Sequence, residues 1–283
     1  MAWQLHSCVC MKPQNIDENP PAIGKAVLIG AGPGDVELLT LKAVRALGEA
    51  DLILLDDLVN REVLQFIKPG ARVIEVGKRG GKGHCRRSTP QDFIERLMVR
   101  YAKRGLCVAR VKGGDPYVFG RGGEESATLR AAGIPVEVVS GITSGIGVPA
   151  HLGIPVTHRD FVHGVTLITG HTRAGMAPNW RALAAGGTTL VIYMGISNLD
   201  SIVEGLRDAG MPASMPVAVI QEGTLSTQRD LVTTLGETIE QVKAAGLGSP
   251  AIVVVGEVAK FADRNALEQS HPFNAERNAQ RAA

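Results

Sequence analysis

Short apolar runs rich in β-branched residues alternate with helix-like patterns through the first half of the chain. The predicted strands are residues 26–29, 52–55, 72–76, 107–111 and 135–139. The predicted helices between them are residues 36–49, 60–67, 90–104 and 123–132. This alternation is typical of an α/β domain.

The second half carries a further set of apolar runs with fewer helical patterns between them. The predicted strands are residues 165–169, 188–194, 217–220, 228–234 and 251–255, with helices near 197–209 and 236–245. Only residues 221–227 separate two of these runs, which is too short for a crossover helix. We therefore expect strands 217–220 and 228–234 to pair antiparallel.

A segment rich in glycine and proline, Gly141 to Pro155, lies between the two halves and is the expected domain junction. The pattern predicts an α/β protein with an N-terminal domain at 24–140 and a C-terminal domain at 141–262. Residues 1–23 and 263–283 lack a clear period and are interpreted as tails.

Composition narrows the class of protein. With 283 residues, of which 45% are apolar, the chain can bury a substantial core. Its longest apolar runs are too short to cross a bilayer, so we expect no membrane association. The N-terminus lacks the order of a secretion signal. The four cysteines match neither zinc-ligand nor CxxC spacing, so we expect reduced thiols in a cytoplasmic protein without a metal site.

The net charge of +2 does not by itself indicate a nucleic-acid partner, but the basic residues are unevenly placed. Six of them fall within residues 78–87. This basic cluster is either a solvated loop or an electropositive rim for an anionic ligand. Its glycines, without stacking aromatic side chains, disfavour a platform for single-stranded nucleic acid.

The segment Val111–Glu125 combines five glycines and a proline with charged side chains, directly after an apolar strand. Glycine lets main-chain groups approach a ligand closely, while Asp115, Arg121, Glu124 and Glu125 supply fixed charge. We interpret this segment as a binding loop.

A second glycine turn, Gly30–Asp35, follows the first predicted strand. It does not fit the dinucleotide-binding fingerprint, because Asp35 stands where the third glycine belongs and Pro33 replaces a residue with a free N–H. What the turn indicates is close approach of the backbone to some ligand at the carboxyl end of a strand.

Seven segments together carry a resemblance to a known family: Gly30–Asp35, Val76–Arg79, Lys112–Glu125, Gly141–Ser144, Gly153–Asp160, Thr169–His171 and Tyr193–Gly195. Over about residues 24–260 they resemble the uroporphyrinogen-III C-methyltransferases, which are tetrapyrrole methylases. Gly113–Pro116 alone is similar to the wider family, which includes diphthine synthase and a ribosomal RNA methyltransferase. Phe119–Glu125 together with His158–Asp160 is similar to the uroporphyrinogen enzymes specifically.

The resemblance implies the tetrapyrrole methylase fold, with two α/β domains, S-adenosylmethionine in the cleft between them, and a homodimer. It carries over a set of cofactor-binding positions: Pro33, Gly113, Gly114, Asp115, Val118, Thr143, Ser144, Met194 and Gly223. An unplaced methionine is usually core, but Met194 follows a strand within Tyr-Met-Gly, which favours a place in the adenosyl pocket.

The substrate implied by the resemblance, uroporphyrinogen III, carries eight carboxylates, so its cleft should be rich in arginine. Arg121, Arg159 and the basic cluster are the candidates, with Glu124 and Met194 as further substrate contacts. For Arg159, an ion pair with its sequence neighbours is the alternative.

The resemblance further implies methylation at C2 and C7 to give precorrin-2, with loss of a proton from C20. The acceptor implied by the family is Asp56, Lys78 or Arg121, although an arginine is a poor base because its pKa exceeds about 12. Glu124 is a candidate for stabilising the developing cation. Asp57, directly after Asp56, is expected to raise the pKa of either carboxyl group.

Three alternatives stay open at this point. The chain could be a later precorrin methyltransferase that adds one methyl group, an RNA methyltransferase of the same fold, or a binding protein for adenosyl ligands or tetrapyrroles without chemistry. Precorrin-2 leads to cobalamin, sirohaem and haem d1, and the sequence does not choose between these pathways.

Overall fold

The computed structural model describes residues 22–77, 89–171 and 178–263. Lys78, the remainder of the basic cluster at 78–87, and nearly all of both predicted tails lie outside these ranges. The sequence-based expectations for them are therefore not addressed by the fold described below.

The first half forms one sheet of five parallel strands in the order β3-β2-β4-β1-β5. The strands are β1 (Ala26–Gly30), β2 (Leu52–Leu55), β3 (Arg72–Glu75), β4 (Val108–Lys112) and β5 (Val136–Val139). The helices that connect them are α1 (Leu41–Glu49), α2 (Gln91–Ala102) and α3 (Gly122–Ala131).

Helices cover both faces of this sheet. Alternate residues of β1 and β2 bury one apolar set against α1, and the intervening residues bury a second set against α2 and α3. Strands buried on both faces read as continuous apolar runs, which is why the sequence pattern located them. Because all five strands are parallel, their carboxyl ends lie at the same edge of the sheet, where the loops are free to form a site.

The second half forms a mixed sheet in the order β6-β7-β10-β8-β9. The strands are β6 (Val165–Thr169), β7 (Thr189–Tyr193), β8 (Pro216–Gln221), β9 (Arg229–Thr234) and β10 (Ala251–Val255). Only the pair β6 and β7 is parallel among the named pairs. The antiparallel pairing predicted for 217–220 and 228–234 is confirmed, with Val219 opposite Leu231.

Four further helices complete the described fold: α4 (Ser144–His151), α5 (Trp180–Ala185), α6 (Leu199–Asp208) and α7 (Thr238–Ala245). Helices α6 and α7 pack on one face of the second sheet, and α4 packs on the other. No helix in the described ranges has the length and apolar content that crossing a membrane requires.

The helix predictions differ from the structure at four places, one of which is α5, a helix that the sequence pattern did not predict. The predicted helix 36–49 is interrupted: a 3₁₀ turn, Val36–Leu38, is followed by an extended link that ends at Thr40. Thr40 then begins α1, because its hydroxyl accepts a hydrogen bond from Ala43 N at 3.1 Å. The predicted helix 60–67 is a 3₁₀ helix, Arg61–Phe66. The junction 141–155 contains α4, whose glycines and internal Pro149 hid it from a propensity argument.

Candidate functional site

A cleft of about 520 Å³ lies between the two sheets and is lined from both sides. The first sheet contributes the loops that follow β1, β2 and β4, together with the start of α4. The second contributes the loops that follow β7 and β8. Most lining loops thus come from the carboxyl ends of strands, the usual place for ligands in open α/β sheets.

Three main-chain segments meet at the floor of the cleft without room for side chains. A Cβ atom on Gly30 would lie 2.5 Å from Gly141 N, and one on Gly141 would lie 2.3 Å from Gly114 O. Gly32 and Gly114 exchange two main-chain hydrogen bonds, at 3.2 and 2.6 Å. The loops after β1 and β4 and the segment before α4 are therefore held together by close backbone contacts.

Asp115 joins two of these loops by its carboxylate. One oxygen accepts a hydrogen bond from Tyr117 N at 2.8 Å and the other accepts one from Gly141 N at 3.2 Å. The cleft is lined by Gly113 and Gly114 beside it, but not by Asp115 itself. The structure therefore gives Asp115 a role in holding these loops together, and its contact with a cofactor stays a prediction.

Tyr193, the last residue of β7, connects the second sheet to α4. Its hydroxyl lies 2.6 Å from Thr143 Oγ1 and accepts a hydrogen bond from Gly145 N at 2.6 Å. Its ring packs on Phe119, with 4.9 Å between the ring centres. Burial raises the pKa of Tyr193, against the opposing effect of its hydrogen bonds, so the phenol stays neutral and holds the start of α4 against the cleft.

We expect Tyr193→Phe to lower the free energy of unfolding by about 1–3 kcal/mol, because the buried Gly145 N–H would lose its acceptor. Urea denaturation followed by circular dichroism measures this. Tyr101→Phe is the matched control, since the Tyr101 hydroxyl meets only Arg72 in an exposed contact at 3.2 Å. Equal stability of the two variants would contradict the proposed role of the hydroxyl.

The second domain closes the cleft with the loops after β7 and β8. A Cβ on Gly223 would lie 2.3 Å from a methyl carbon of Val148, so this loop touches α4 closely. Thr224 Oγ1 accepts a hydrogen bond from Asp35 N at 2.9 Å and so joins the loop after β8 to the loop after β1. Met194 lines the cleft in the left-handed region, with φ 55°.

An outer cavity of about 370 Å³ adjoins the cleft. The residues that line it are Tyr117, Phe119, Arg121, Gly122, Gly123, Glu124, Thr169, His171 and Met194. Four of them, Phe119, Arg121, His171 and Met194, line the inner cleft as well. The two spaces are therefore neighbours that share four side chains at their boundary.

Arg121 stands at the boundary of the two spaces and is half exposed. It begins α3 in a left-handed conformation, with φ 59°, and its guanidinium forms a forked ion pair with Glu124, whose two oxygens are each 3.1 Å from Nε. The hydrogen bond to Glu124 raises the pKa of Arg121 further. The side chain is therefore suited to bind carboxylates and is still less suited to accept a proton.

A buried ionic cluster lies below the cleft, between β4 and α3. Arg110 donates to Asp56 Oδ2 at 2.6 Å and to Glu125 Oε1 at 3.3 Å, while Lys112 and Gln91 donate to the same Glu125 oxygen at 3.2 and 3.1 Å. Arg110, Lys112 and Glu125 are buried. We call these five residues the ionic cluster; all except Glu125 line the cleft.

Burial opposes ionisation of Asp56, but Arg110 outweighs it and the pKa of Asp56 is lowered, with a hydrogen bond from Asp57 in the same direction. The rise expected for one of the two carboxyls is therefore not found at Asp56, and for Asp57 it stays a prediction. Burial, together with repulsion from Arg110, lowers the pKa of Lys112 against the attraction of Glu125.

The sequence analysis named Asp56 and Glu125 separately, the latter as a charge of the binding loop, and missed their connection through Arg110 and Lys112. Arg110 and Lys112 occupy alternate positions of a strand that is otherwise apolar, and alternate positions of a strand share one face. Two cations on one face of a buried strand require buried anions, which is the signal that could have indicated the cluster.

The remaining predicted positions divide into two groups. Pro33, Gly113, Gly114, Val118, Thr143, Ser144, Met194 and Gly223 line the cleft, as do Asp56 and Arg121, and Glu124 lines the outer cavity. Arg159 lines neither. It lies exposed on a tight turn closed by the bridge between His158 and Val162. The expected position of Arg159 beside Arg121 is therefore not found in the single chain, because this turn carries its side chain to the surface.

Comparison with known proteins places this site in a family. Residues 25–239 match the model of the tetrapyrrole (corrin/porphyrin) methylases, which is well over half of the chain. The chain belongs to the tetrapyrrole methylase family. This methylase is 52% identical over 237 residues to a uroporphyrinogen-III C-methyltransferase of Pseudomonas aeruginosa, covering 84% of the chain and 95% of that relative.

Solved structures agree with the fold of this methylase. It resembles a uroporphyrin-III C-methyltransferase of Thermus thermophilus in complex with S-adenosylhomocysteine, at a TM-score of 0.71 and 38% identity over 84% of this chain and 99% of the other. A cobalt precorrin-4 methyltransferase matches at a TM-score of 0.74 but only 26% identity, over 83% and 95% of the two chains. Shape alone does not separate these two activities, whereas sequence identity does.

Proposed function

We propose that this methylase transfers methyl groups from S-adenosylmethionine to C2 and C7 of uroporphyrinogen III and so forms precorrin-2. The observation that carries the proposal is the 52% identity over nearly the whole of a relative with this named activity. The adjoining inner cleft and outer cavity support it, because the reaction needs a methyl donor and a large polyanion side by side.

The inner cleft fits an adenosyl cofactor. Gly113, Gly114 and Gly223 bring main-chain groups close to the space, and Pro33, Val118 and Ile220 supply apolar surface for a base and ribose. Among described residues, no cluster of three or more possible metal ligands occurs. S-adenosylmethionine, when bound, supplies a methyl carbon that is already electrophilic, so positioning by these loops provides much of the rate.

The outer cavity fits the polyanionic ring. Arg121 presents a rigid guanidinium at the boundary with the inner cleft, and a carboxylate side chain of the substrate can bind to it bidentately. Glu124 holds Arg121 before the substrate arrives and is positioned to stabilise positive charge that develops on the pyrrole. Met194 lines both spaces and forms an apolar contact at the point where the donor and the ring meet.

Removal of the C20 proton requires a base within the cleft. Arg121 is the least suited of the three candidates to accept a proton. Its hydrogen bond to Glu124 raises its already high pKa, so the guanidinium stays protonated. Asp56 lines the cleft as a carboxylate, and Lys78 lies beyond the described residues. We propose Asp56 as the acceptor, with Arg121 as the residue that grips the substrate.

The number of methyl groups transferred tests the function. We expect the full chain, incubated with methyl-labelled S-adenosylmethionine and uroporphyrinogen III, to yield a dimethylated product by mass spectrometry. Porphyrinogens that lack the acetate side chains of uroporphyrinogen serve as control substrates. One methyl group would indicate a later precorrin methyltransferase, and no transfer would overturn the proposal.

We also propose that the protein is a homodimer, as the family resemblance implies, and that it is cytoplasmic, as the cysteine spacing indicates. Light scattering on the purified chain tests the dimer, and a monomer at micromolar concentration would contradict it. The absence of nucleic-acid binding remains a prediction; steeply salt-dependent affinity for RNA would contradict it.

A further inference from the structure

The ionic cluster contains more charge than a supporting core requires. Two cations and two anions lie within hydrogen-bonding distance of one another, and three of the four side chains are at most 6% exposed. Asp56 alone reaches further out, with 23% of its side chain exposed. Apolar packing would provide comparable stability at this depth, so a charged cluster of which four members line the cleft points to a role in the site.

All three guanidinium nitrogens of Arg110 donate hydrogen bonds to neighbouring groups. Its Nη2 holds Asp56, its Nε holds Glu125, and its Nη1 donates to the main-chain oxygens of Leu54 and Val111 at 3.4 and 3.2 Å. Carbonyl and carboxylate acceptors therefore surround the guanidinium and fix its plane. The Asp56 carboxylate is the most exposed of the four charged members of the cluster. Its other oxygen accepts a weak hydrogen bond from Leu58 N at 3.4 Å.

Glu125 is the anchor of the arrangement. It is fully buried, and its Oε1 accepts from Arg110, Lys112 and Gln91 together. Its Oε2 finds no partner among the described residues. A buried carboxylate in this setting is retained for its negative charge, since a neutral amide would satisfy the same space.

We propose that Arg110 is a positioning residue, anchored by Glu125, that fixes the Asp56 carboxylate as an anion facing the cleft. This inference rests on the proposed function only in giving Asp56 a catalytic task. Among the described residues, the charged groups that face Asp56 are Arg110 and Lys112 from β4 and Asp57 from its own loop, with Glu125 of α3 behind Arg110. Lowered pKa values of Asp56 agree with this balance, in which cations prevail over the neighbouring carboxyl.

The pH dependence of activity tests the proposal. In Arg110→Gln the anion loses its cation, burial then raises the pKa of Asp56, and the acid limb of kcat moves to higher pH. We expect the ratio of variant to native kcat to fall at least tenfold between pH 8 and pH 5.5. Arg110→Lys retains a cation and should keep that ratio constant within about threefold. A constant ratio for Arg110→Gln would overturn the proposal, because a purely structural role lowers activity equally at every pH.

Two further variants separate folding from positioning. Glu125→Gln keeps an oxygen beside Arg110 but removes the anchor charge, so its acid limb should move upward by less than that of Arg110→Gln. Arg61→Gln breaks an exposed ion pair with Glu75 and should change nothing. An acid limb in Glu125→Gln identical to that of the native chain would contradict the anchoring role of Glu125.

A measurement without substrate keeps this inference distinct from the proposed function. The carboxyl carbon of Asp56, observed by ¹³C NMR and assigned through Asp56→Asn, should titrate at higher pH in Arg110→Gln than in the native chain. Failure of the native chain to methylate uroporphyrinogen III would remove the function but not this result. An unchanged titration would remove the positioning role even in an active enzyme.

Discussion

Replacing Arg121 by lysine should lower kcat/KM for uroporphyrinogen III about a hundredfold. The rigid fork of arginine binds a carboxylate through two charge-assisted hydrogen bonds, and lysine offers a single point charge on a flexible stem. Loss of about 3 kcal/mol of such binding corresponds to roughly two powers of ten in rate. Steady-state kinetics with saturating S-adenosylmethionine measures the effect.

Arg130→Lys is the matched control for this experiment, because Arg130 is exposed near the other end of the same helix. It should leave kcat/KM unchanged within about twofold. Calorimetry should show that Arg121→Lys still binds S-adenosylmethionine, since most of the inner cleft lies away from this side chain. Turnover of Arg121→Lys within a few-fold of the native chain would refute both the carboxylate-binding role and any role as a base.

Gly141→Ala should abolish measurable binding of S-adenosylmethionine. The added methyl group would lie 2.3 Å from Gly114 O and 2.7 Å from the carbonyl carbon of Gly30, where ordinary contacts are 3.4 Å or longer. All the nearest atoms belong to the backbone, so the clash can be relieved only by parting the loops that carry the cofactor positions. Overpacking of this kind costs about 1–3 kcal/mol. Isothermal titration calorimetry measures the binding.

Gly248→Ala controls for the substitution itself, because a Cβ at Gly248 meets no atom within 4 Å. It should bind the cofactor with native affinity. Circular dichroism should show that Gly141→Ala retains its helices and strands and unfolds several degrees lower than the native chain. Heat of binding equal to that of the native chain would show that the three loops do not form the cofactor site.

Much of the fold could be predicted because the first sheet is buried on both faces. Strands such as β1 and β2 must then be continuously apolar, and helices must separate them. The failures have local causes. Helix α4 consists largely of glycine, proline and small residues, and it forms because Val148 and Leu152 pack on the second sheet. No local pattern contains that tertiary contact.

The site was predicted where the backbone carries the information and missed where side chains from distant segments meet. Glycines such as Gly114 could be recognised from the sequence, because several of them occur together in one short segment. The partnership of Arg110 with Asp56 and Glu125 joins residues 54 and 15 positions apart, and it exists only once β2, β4 and α3 are assembled. Arg159 shows the reverse error, since a residue within a family-like segment lies on an exposed turn of the single chain.

The left-handed backbone noted at Arg121 and Met194 extends to Phe119, Glu222 and Thr224, which complete the non-glycine residues of this conformation in the described chain. Each such residue costs about 1 kcal/mol relative to glycine. All five belong to the loops around the two cavities. Conformational energy is thus concentrated around the two cavities, and a more thermostable version made by replacing these residues with glycine would lose the side chains of Arg121 and Met194 from the lining.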